Sequence, residues 1–221
     1  MRSHHKLLLT LFAALFLSSC SSSSDQQKKS AEAERATPAP EKTPAPPVTE
    51  TKEKTFKVRM VTSRGPVLIE VHPAWAPLGA EQFRKLVEAK FFDGARFFRI
   101  VPNFVVQFGL AASPAVTKKW DHPIKDDSVT QLNRTGSLAF ATMGPETRTS
   151  QVFINLKTNQ SLNSQGFAPF AQVIEGMENI EHLYAGYGER PDQDAITKQG
   201  NAYLEKNFPN LDYIKTARIA E

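Results

Sequence analysis

The chain has 221 residues and a formal net charge of +4, and its length fits one globular domain of ordinary size with terminal tails. Its single cysteine excludes a disulfide framework and a zinc site built from cysteines. Residues 55–221 carry 19 Lys and Arg against 17 Asp and Glu, so this part lacks the basic stripe of a nucleic-acid-binding surface, and we expect no nucleic-acid partner.

The N-terminal residues have the pattern of an export signal. Arg2 and Lys6 make a short basic start, and residues 7–17 are apolar except for Thr10. Eleven residues are too few to span the hydrocarbon core of a bilayer, which takes about 20 in a helix. The sequence therefore predicts a secretory signal peptide over 1–19.

The run Leu17-Ser18-Ser19-Cys20 resembles the lipobox of bacterial lipoproteins. By this resemblance Cys20 would receive diacylglyceryl on sulfur, become the mature N-terminus and be N-acylated, and several acyl chains (palmitate or similar) anchor stably. An ordinary signal peptide with an incidental cysteine and a short uncleaved anchor are the alternatives. Ser21 after Cys20, in place of Asp, favours the periplasmic side of the outer membrane, with the inner membrane or cell surface as alternatives.

Residues 20–54, which begin with Cys20, are predicted to form a disordered linker. The stretch 21–54 is rich in Ser, Ala and Pro and contains no Leu, Ile, Phe, Met, Trp or Tyr. It cannot bury enough apolar surface to offset the entropy of ordering the chain. Its proline-rich part is expected to be extended, so the linker could hold a domain up to roughly 100 Å from a membrane.

The remaining residues, 55–221, are predicted to form one domain made mainly of strands. Apolar and polar residues alternate over 56–61, and a turn at 64–66 leads to a second strand over 67–71. Further strands are predicted over 96–101, 104–109, 136–142, 151–156, 169–174 and 211–218.

Two or three helices complete the predicted domain. The first follows Pro77 and places Phe83, Leu86 and Val87 on one face. The others are expected near 177–185 and 197–207. Many short strands with few helices are typical of a closed or nearly closed antiparallel barrel.

Two sequence blocks resemble the cyclophilin family. The first, residues 97–109, reads FFRIVPNFVVQFG, and the second runs from GSLAFA at 136–141 through Gly144-Pro145 to SQVFI at 150–154. The resemblance spans about residues 56–185, whereas 186–221 looks like a subgroup extension. It implies a closed eight-stranded barrel and peptidyl-prolyl cis-trans isomerase activity on proline-containing polypeptides.

By this match Arg99 is the catalytic residue, and its strand neighbours Phe98 and Ile100 are expected to point to the opposite face. The strand pattern alone favours a solvated surface arginine, and the second block favours the catalytic role. The rotation breaks no bond to carbon, so we expect no metal, nucleophile or cofactor. The five histidines also lack metal-ligand spacing.

The match also assigns the substrate-binding residues. Apolar side chains would line a pocket for the proline ring, Gln107 and Gln151 would hold the substrate backbone and orient the arginine, and Ala141 and Thr142 would pair with the peptide main chain. The pocket residues are Phe104, Val105, Phe153, Leu162 and Phe167.

Four positions depart from the commoner residues of the family. Val105 replaces a methionine, Thr142 an asparagine, Ser161 a tryptophan and Phe167 a histidine. The missing indole N–H removes a donor that cyclosporin uses in family members. The sequence therefore predicts weak cyclosporin binding with isomerase activity retained.

A rival interpretation is a non-catalytic module that grips proline-containing segments at the membrane, and loss of Arg99 would have favoured it. A solute-binding lipoprotein would need two α/β lobes and a longer chain. We expect a monomer that assists the folding of exported proteins.

Overall fold

The computed structural model describes residues 54–220. The predicted signal peptide, the lipidated Cys20 and all but the last residue of the linker lie outside the described residues. Within 54–220, no helix combines the length and apolar character needed to cross a membrane.

Eight strands form one antiparallel sheet, which confirms the predicted number of strands and their pairing sense. Their order across the sheet is β3-β4-β6-β5-β7-β2-β1-β8. The strands are β1 (Phe56–Thr62), β2 (Pro66–Val71), β3 (Arg99–Val101), β4 (Val105–Phe108), β5 (Ser137–Phe140), β6 (Val152–Asn155), β7 (Pro169–Glu175) and β8 (Ile214–Ala220).

The two outer strands of the sheet, β3 and β8, do not pair with each other in the described part of the chain, so the predicted closed ladder is absent there. Instead the segments that enter them meet at one bridge, between Arg96 and Tyr213. Next to it, the Phe97 N–H donates to the Asp212 carbonyl at 3.0 Å. The sheet therefore curls until its ends touch, while the predicted strand 96–101 is regular only from Arg99.

The expectation of two or three helices is wrong, because the described residues contain six. Two of the unpredicted helices have six and four residues, too few to show a helical period in the sequence. The helices are α1 (Pro77–Glu88), α2 (Pro114–Lys119), α3 (Ser161–Ser164), α4 (Met177–Glu181), α5 (Gln193–Gln199) and α6 (Asn201–Asn207).

The helix predicted over 197–207 is divided at Gly200 into α5 and α6. Gly200 has a φ of +60°, and a Cβ there would lie 2.3 Å from the Ala112 carbonyl oxygen. The chain therefore needs glycine at this position to turn while passing close to another backbone segment.

The main core lies between α1 and the sheet. Phe83, Leu86 and Val87 are buried on one face of α1, as the sequence pattern predicts. The Phe83 ring packs 5.1 Å from that of Phe170 and 5.4 Å from that of Phe92. Burial of each such aromatic side chain stabilises the fold by about 1.5–3 kcal/mol, so this cluster holds the sheet in its curled form.

A second, smaller core forms around Phe98, the residue before β3. Phe98 is 1% exposed and packs with apolar residues of the C-terminal extension, whose helices are α5 and α6. The other buried members of this core are Leu110, which follows β4, and Ile196, Leu204 and Leu211 of the extension. The extension is therefore packed directly against the strand that carries Arg99.

Candidate active site

The hairpin of β3 and β4 presents Arg99 and Gln107 side by side. The two residues are register partners in the antiparallel ladder, so their side chains leave the same face of the sheet. Phe98 and Ile100, on either side of Arg99, are 1% and 4% exposed. Arg99 therefore points away from the apolar interior that its neighbours enter, as the strand pattern predicts.

Arg99 belongs to a chain of side-chain hydrogen bonds that crosses two strands. Its Nη1 donates to Gln107 Oε1 at 3.2 Å, and Gln107 Nε2 donates to Gln151 Oε1 at 2.8 Å. The Arg99 guanidinium carbon also lies 5.9 Å from the centre of the Phe104 ring. These contacts hold the cationic group at the border between polar and apolar side chains.

An apolar cluster lies beside this polar chain. The Phe153 and Phe167 rings meet edge to face, with centres 5.5 Å apart at 77°. Such geometry suits aromatic pairs because the positive ring edge meets the negative face. The cluster contains Val105, Ala139, Phe153 and Leu162, with Phe104, Ala141 and Phe167 packed against it.

The polar chain and the apolar cluster share one cavity of about 950 Å³. Every residue that the sequence analysis assigned to catalysis or substrate binding lines it. These residues are Arg99, Phe104, Val105, Gln107, Ala141, Thr142, Gln151, Phe153, Leu162 and Phe167.

The short segment at 141–142 is held within the domain. The Ala141 N–H donates to the Gln151 carbonyl at 2.9 Å, so only its carbonyl oxygen could accept from a bound peptide. Thr142 Oγ1 accepts from the Gly144 N–H at 3.1 Å and lies 2.7 Å from Thr147 Oγ1. The threonine side chain thereby shapes the rim of the cavity.

A buried network of asparagine side chains bonds to the backbone of two pocket residues, and the sequence analysis did not predict it. Asn155 and Asn133 are fully buried, and Asn155 Nδ2 donates to Asn133 Oδ1 at 3.1 Å. Asn159 Nδ2 donates to the carbonyl of Phe104, and Asn133 Nδ2 donates to the carbonyl of Phe167. Two of the three aromatic residues of the pocket, Phe104 and Phe167, are thus fixed through their backbones.

The extension supplies further side chains to the cavity wall. Gln193, Asp194 and Thr197 of α5 line the cavity, together with Thr117 of α2. The sequence analysis missed these four residues because α2 and the extension both lie outside the two blocks that carry the family resemblance. The spacing of these residues offers no signal that they approach Arg99.

Glu189, in the turn before α5, forms an ion pair with Arg99. Its Oε1 lies 2.6 Å from Arg99 Nε and 2.6 Å from Arg99 Nη2. The Glu189 side chain is 61% exposed and the Arg99 side chain 24%. The residues are 90 positions apart, and nothing in the sequence pairs them.

Residues 57–201 match the family model of cyclophilin type peptidyl-prolyl cis-trans isomerases. A peptidyl-prolyl cis-trans isomerase of Acinetobacter baylyi is 36% identical over 132 residues, covering 57% of this chain and 70% of that protein. Peptidyl-prolyl cis-trans isomerase ppi1 of Schizosaccharomyces pombe is 32% identical over 130 residues, covering 57% and 83%.

Solved structures share the fold. A cyclophilin type peptidyl-prolyl cis-trans isomerase of Cryptosporidium parvum superposes with a TM-score of 0.59 at 21% identity, covering 76% of this chain and 99% of that one. The same Cryptosporidium protein, in the presence of the dipeptide Ala-Pro, gives a TM-score of 0.58 over 75% of this chain and 99% of that one.

Proposed function

The chain belongs to the cyclophilin family of peptidyl-prolyl cis-trans isomerases, which rotate peptide bonds before proline, and we propose that Arg99 is its catalytic residue. The observation that carries this proposal is the position of its guanidinium. It borders the same cavity as the rings of Phe104 and Phe153, where a proline ring could rest.

The chemistry follows from the nature of the peptide bond. The bond resists rotation because the nitrogen lone pair is delocalised into the carbonyl group. The barrier is about 20 kcal/mol, and uncatalysed rotation takes tens of seconds. A donor that draws the lone pair back to nitrogen in the twisted state lowers this barrier.

Arginine suits this task because it is always charged and presents its donors in a rigid planar fork. Gln107 accepts from Nη1 of Arg99 and donates onward to Gln151, which restricts the rotation of all three side chains. The guanidinium is therefore oriented before the substrate arrives, which avoids reorganisation during the reaction.

The proline ring would occupy the apolar part of the cavity. Val105, Phe153 and Leu162 are each at most 6% exposed, so packing fixes the positions of these pocket residues. The related Cryptosporidium protein in the presence of Ala-Pro supports a proline-containing ligand for this pocket. Ala141 and Thr142, at the rim of the same cavity, would pair with the backbone of the bound peptide.

We further propose that the enzyme is a lipoprotein acting on exported proteins. The support is the export signal and the lipobox-like run that ends at Cys20. Isomerisation consumes no nucleotide, which suits the periplasm, and Ser21 favours anchoring on the periplasmic face of the outer membrane. Mass spectrometry of the native N-terminus tests this, since an unmodified or uncleaved N-terminus would contradict it.

A protease-coupled assay on an X-Pro peptide tests the catalytic assignment. We expect the wild-type protein to exceed the spontaneous rate and Arg99→Ala to lower kcat/KM by about 10²-fold or more, because a preorganised transition-state donor is removed. An Arg99→Ala variant as active as the wild type would refute the assignment of Arg99.

A further inference from the structure

The turn at 185–190 covers the edge of β3 that faces away from β4. In the described part of the chain, β3 pairs with β4 alone among the strands. On the other edge the Ile100 N–H donates to the Gly188 carbonyl at 3.2 Å. This bond places the backbone of Glu189 beside that of Arg99.

Two more contacts attach the extension to the same short strand. Phe98 is buried with Ile196 and Leu204 of the extension, on the opposite face from Arg99. Glu189 then binds the guanidinium of Arg99 itself. The extension thus contacts three successive residues. It packs against Phe98, forms an ion pair with Arg99 and accepts a backbone hydrogen bond from Ile100.

The turn that carries Glu189 is held by its own hydrogen bonds. The Gly188 N–H donates to the Ala185 carbonyl at 3.0 Å. The guanidinium of Arg190 donates to the carbonyl oxygens of Gly186 and Tyr187, at 2.9 and 3.2 Å. The Arg190 guanidinium also lies 5.2 Å from the centre of the Tyr187 ring. These bonds therefore hold the backbone of Glu189 in place, although the Glu189 side chain is exposed.

The contacts of Arg99 use distinct parts of the guanidinium. Glu189 Oε1 takes the edge formed by Nε and Nη2, and Gln107 Oε1 takes Nη1. A guanidinium has five N–H groups, so these three contacts leave one N–H on each terminal nitrogen for a substrate. The two partners together fix the plane of the fork and the direction of its terminal nitrogens.

We propose that Glu189 is a positioning residue for isomerisation, which holds the Arg99 guanidinium in its productive orientation. The inference rests on the proposed catalytic role of Arg99. It gives the extension a function in catalysis, since the extension supplies the carboxylate.

Orientation outweighs charge neutralisation in this pair. The Glu189 side chain is 61% exposed, so water and salt screen its charge. An arginine side chain carries its charge with or without a carboxylate partner. Removal of the carboxylate therefore changes the electric field at the substrate only a little. It does allow the long Arg99 side chain to adopt other rotamers.

The test compares Glu189→Gln with Glu205→Gln in the full chain. Glu205 is a matched control, because it lies in the same extension, is 59% exposed and pairs with Arg96 Nη2 at 3.1 Å. Glu205 is not among the residues that line the cavity. Glutamine keeps the size of the side chain but replaces the charge-assisted contacts with the guanidinium by weaker neutral ones, so it loosens the hold on Arg99.

We expect Glu189→Gln to lower kcat about two- to fivefold with KM unchanged, because an exposed ion pair makes a modest contribution. High salt should lower the wild-type kcat towards that of the variant. The Nε–Hε cross-peak of Arg99 in ¹H–¹⁵N NMR spectra should shift or broaden in Glu189→Gln and stay in place in Glu205→Gln.

A double-mutant cycle separates this inference from the role of Arg99. In the Arg99→Ala background, Glu189→Gln should change nothing further, because its effect acts through the guanidinium. The inference is overturned if Glu189→Gln equals or exceeds the wild-type kcat, or if its loss persists in the Arg99→Ala background. If Arg99→Ala is as active as the wild type, the catalytic role of Arg99 itself fails.

Discussion

Arg99 and Gln107 are register partners on β3 and β4, and the guanidinium donates to the Gln107 amide oxygen at 3.2 Å. The amide nitrogen of Gln107 then donates to Gln151, so Gln107 cannot turn without breaking one of the two bonds. The pairing of β3 with β4 therefore orients the Arg99 guanidinium through Gln107, its cross-strand neighbour.

The substitution Gln107→Leu tests this relationship. We expect kcat to fall about tenfold, because a hydrogen bond to a charged group contributes about 1.5 kcal/mol or more. Leucine keeps most of the side-chain volume in a position that is 7% exposed, so the fold should survive. The measurement is kcat in the X-Pro peptide assay, with thermal unfolding as the check on folding. An unchanged kcat would show that Gln107 does not orient Arg99.

Replacement of Arg99 by lysine separates charge from geometry. Lysine keeps the positive charge but has a single nitrogen, so it cannot bind Gln107 and Glu189 and still offer a planar pair of donors. We expect Arg99→Lys to lose about 10²-fold in kcat/KM, almost as much as Arg99→Ala. Activity within about threefold of the wild type would mean that charge alone suffices.

The buried network of Asn133, Asn155 and Asn159 should contribute strongly to the free energy of unfolding. Asn155 is fully buried and bonds to Asn133, Ser137 and Asn159. Asn155→Ala removes the donor to Asn133 Oδ1 and one partner each of Ser137 and Asn159 at a buried site, so we expect the free energy of unfolding to fall by about 3 kcal/mol in a denaturant titration.

The control for Asn155→Ala is Asn207→Ala on the exposed end of α6. Asn207 makes one side-chain bond, to the Tyr203 carbonyl, and should change the free energy of unfolding by no more than about 0.5 kcal/mol. Equal effects of the two substitutions would argue against a supporting role for the network.

We expect Ser161 to weaken the binding of cyclosporin. It is the first residue of α3, directly precedes Leu162 of the pocket, and has no indole N–H to donate. We expect weak inhibition of the wild-type enzyme and about tenfold tighter inhibition of Ser161→Trp, for one added hydrogen bond and its apolar contact. Inhibition constants from the isomerase assay check this, and nanomolar inhibition of the wild type would contradict it.

Asp93 should make the stability depend on pH in the acid range. Its hydrogen bond with the Arg218 guanidinium lowers the pKa of the Asp93 carboxyl, against a smaller opposing effect of burial. A lowered folded-state pKa stabilises the fold above the unfolded value of about 3.9, and this contribution is lost as the pH falls through the folded pKa.

The substitution Asp93→Asn measures this contribution. The Arg218 side chain is 42% exposed, so solvent limits the pair to about 1 kcal/mol. We expect the variant to unfold more easily than the wild type at pH 7, and the two to converge near pH 2. A difference that stays constant between these pH values would show that the carboxylate charge is not its source.

Local sequence patterns predicted much of this structure. Alternation of polar and apolar residues over 56–61, and turn residues around short apolar runs elsewhere, are properties of neighbouring residues. They located all eight strands, and helical spacing located the buried face of α1. The resemblance to cyclophilins named ten residues, from Arg99 to Phe167, and all of them border one cavity. Helices α2 and α3 and the break at Gly200 escaped prediction because each involves too few residues to change the pattern of the sequence.

The contacts between distant segments became visible only with the folded chain. The pairing of Glu189 with Arg99 joins residues 90 positions apart, and the buried contact of Asn155 with Asn133 joins residues 22 positions apart. Periodicity describes which face of an element is apolar, but it does not state which distant residue will lie opposite. That choice depends on how the sheet curls and where the extension packs, and it sets the orientation of the guanidinium at the cavity.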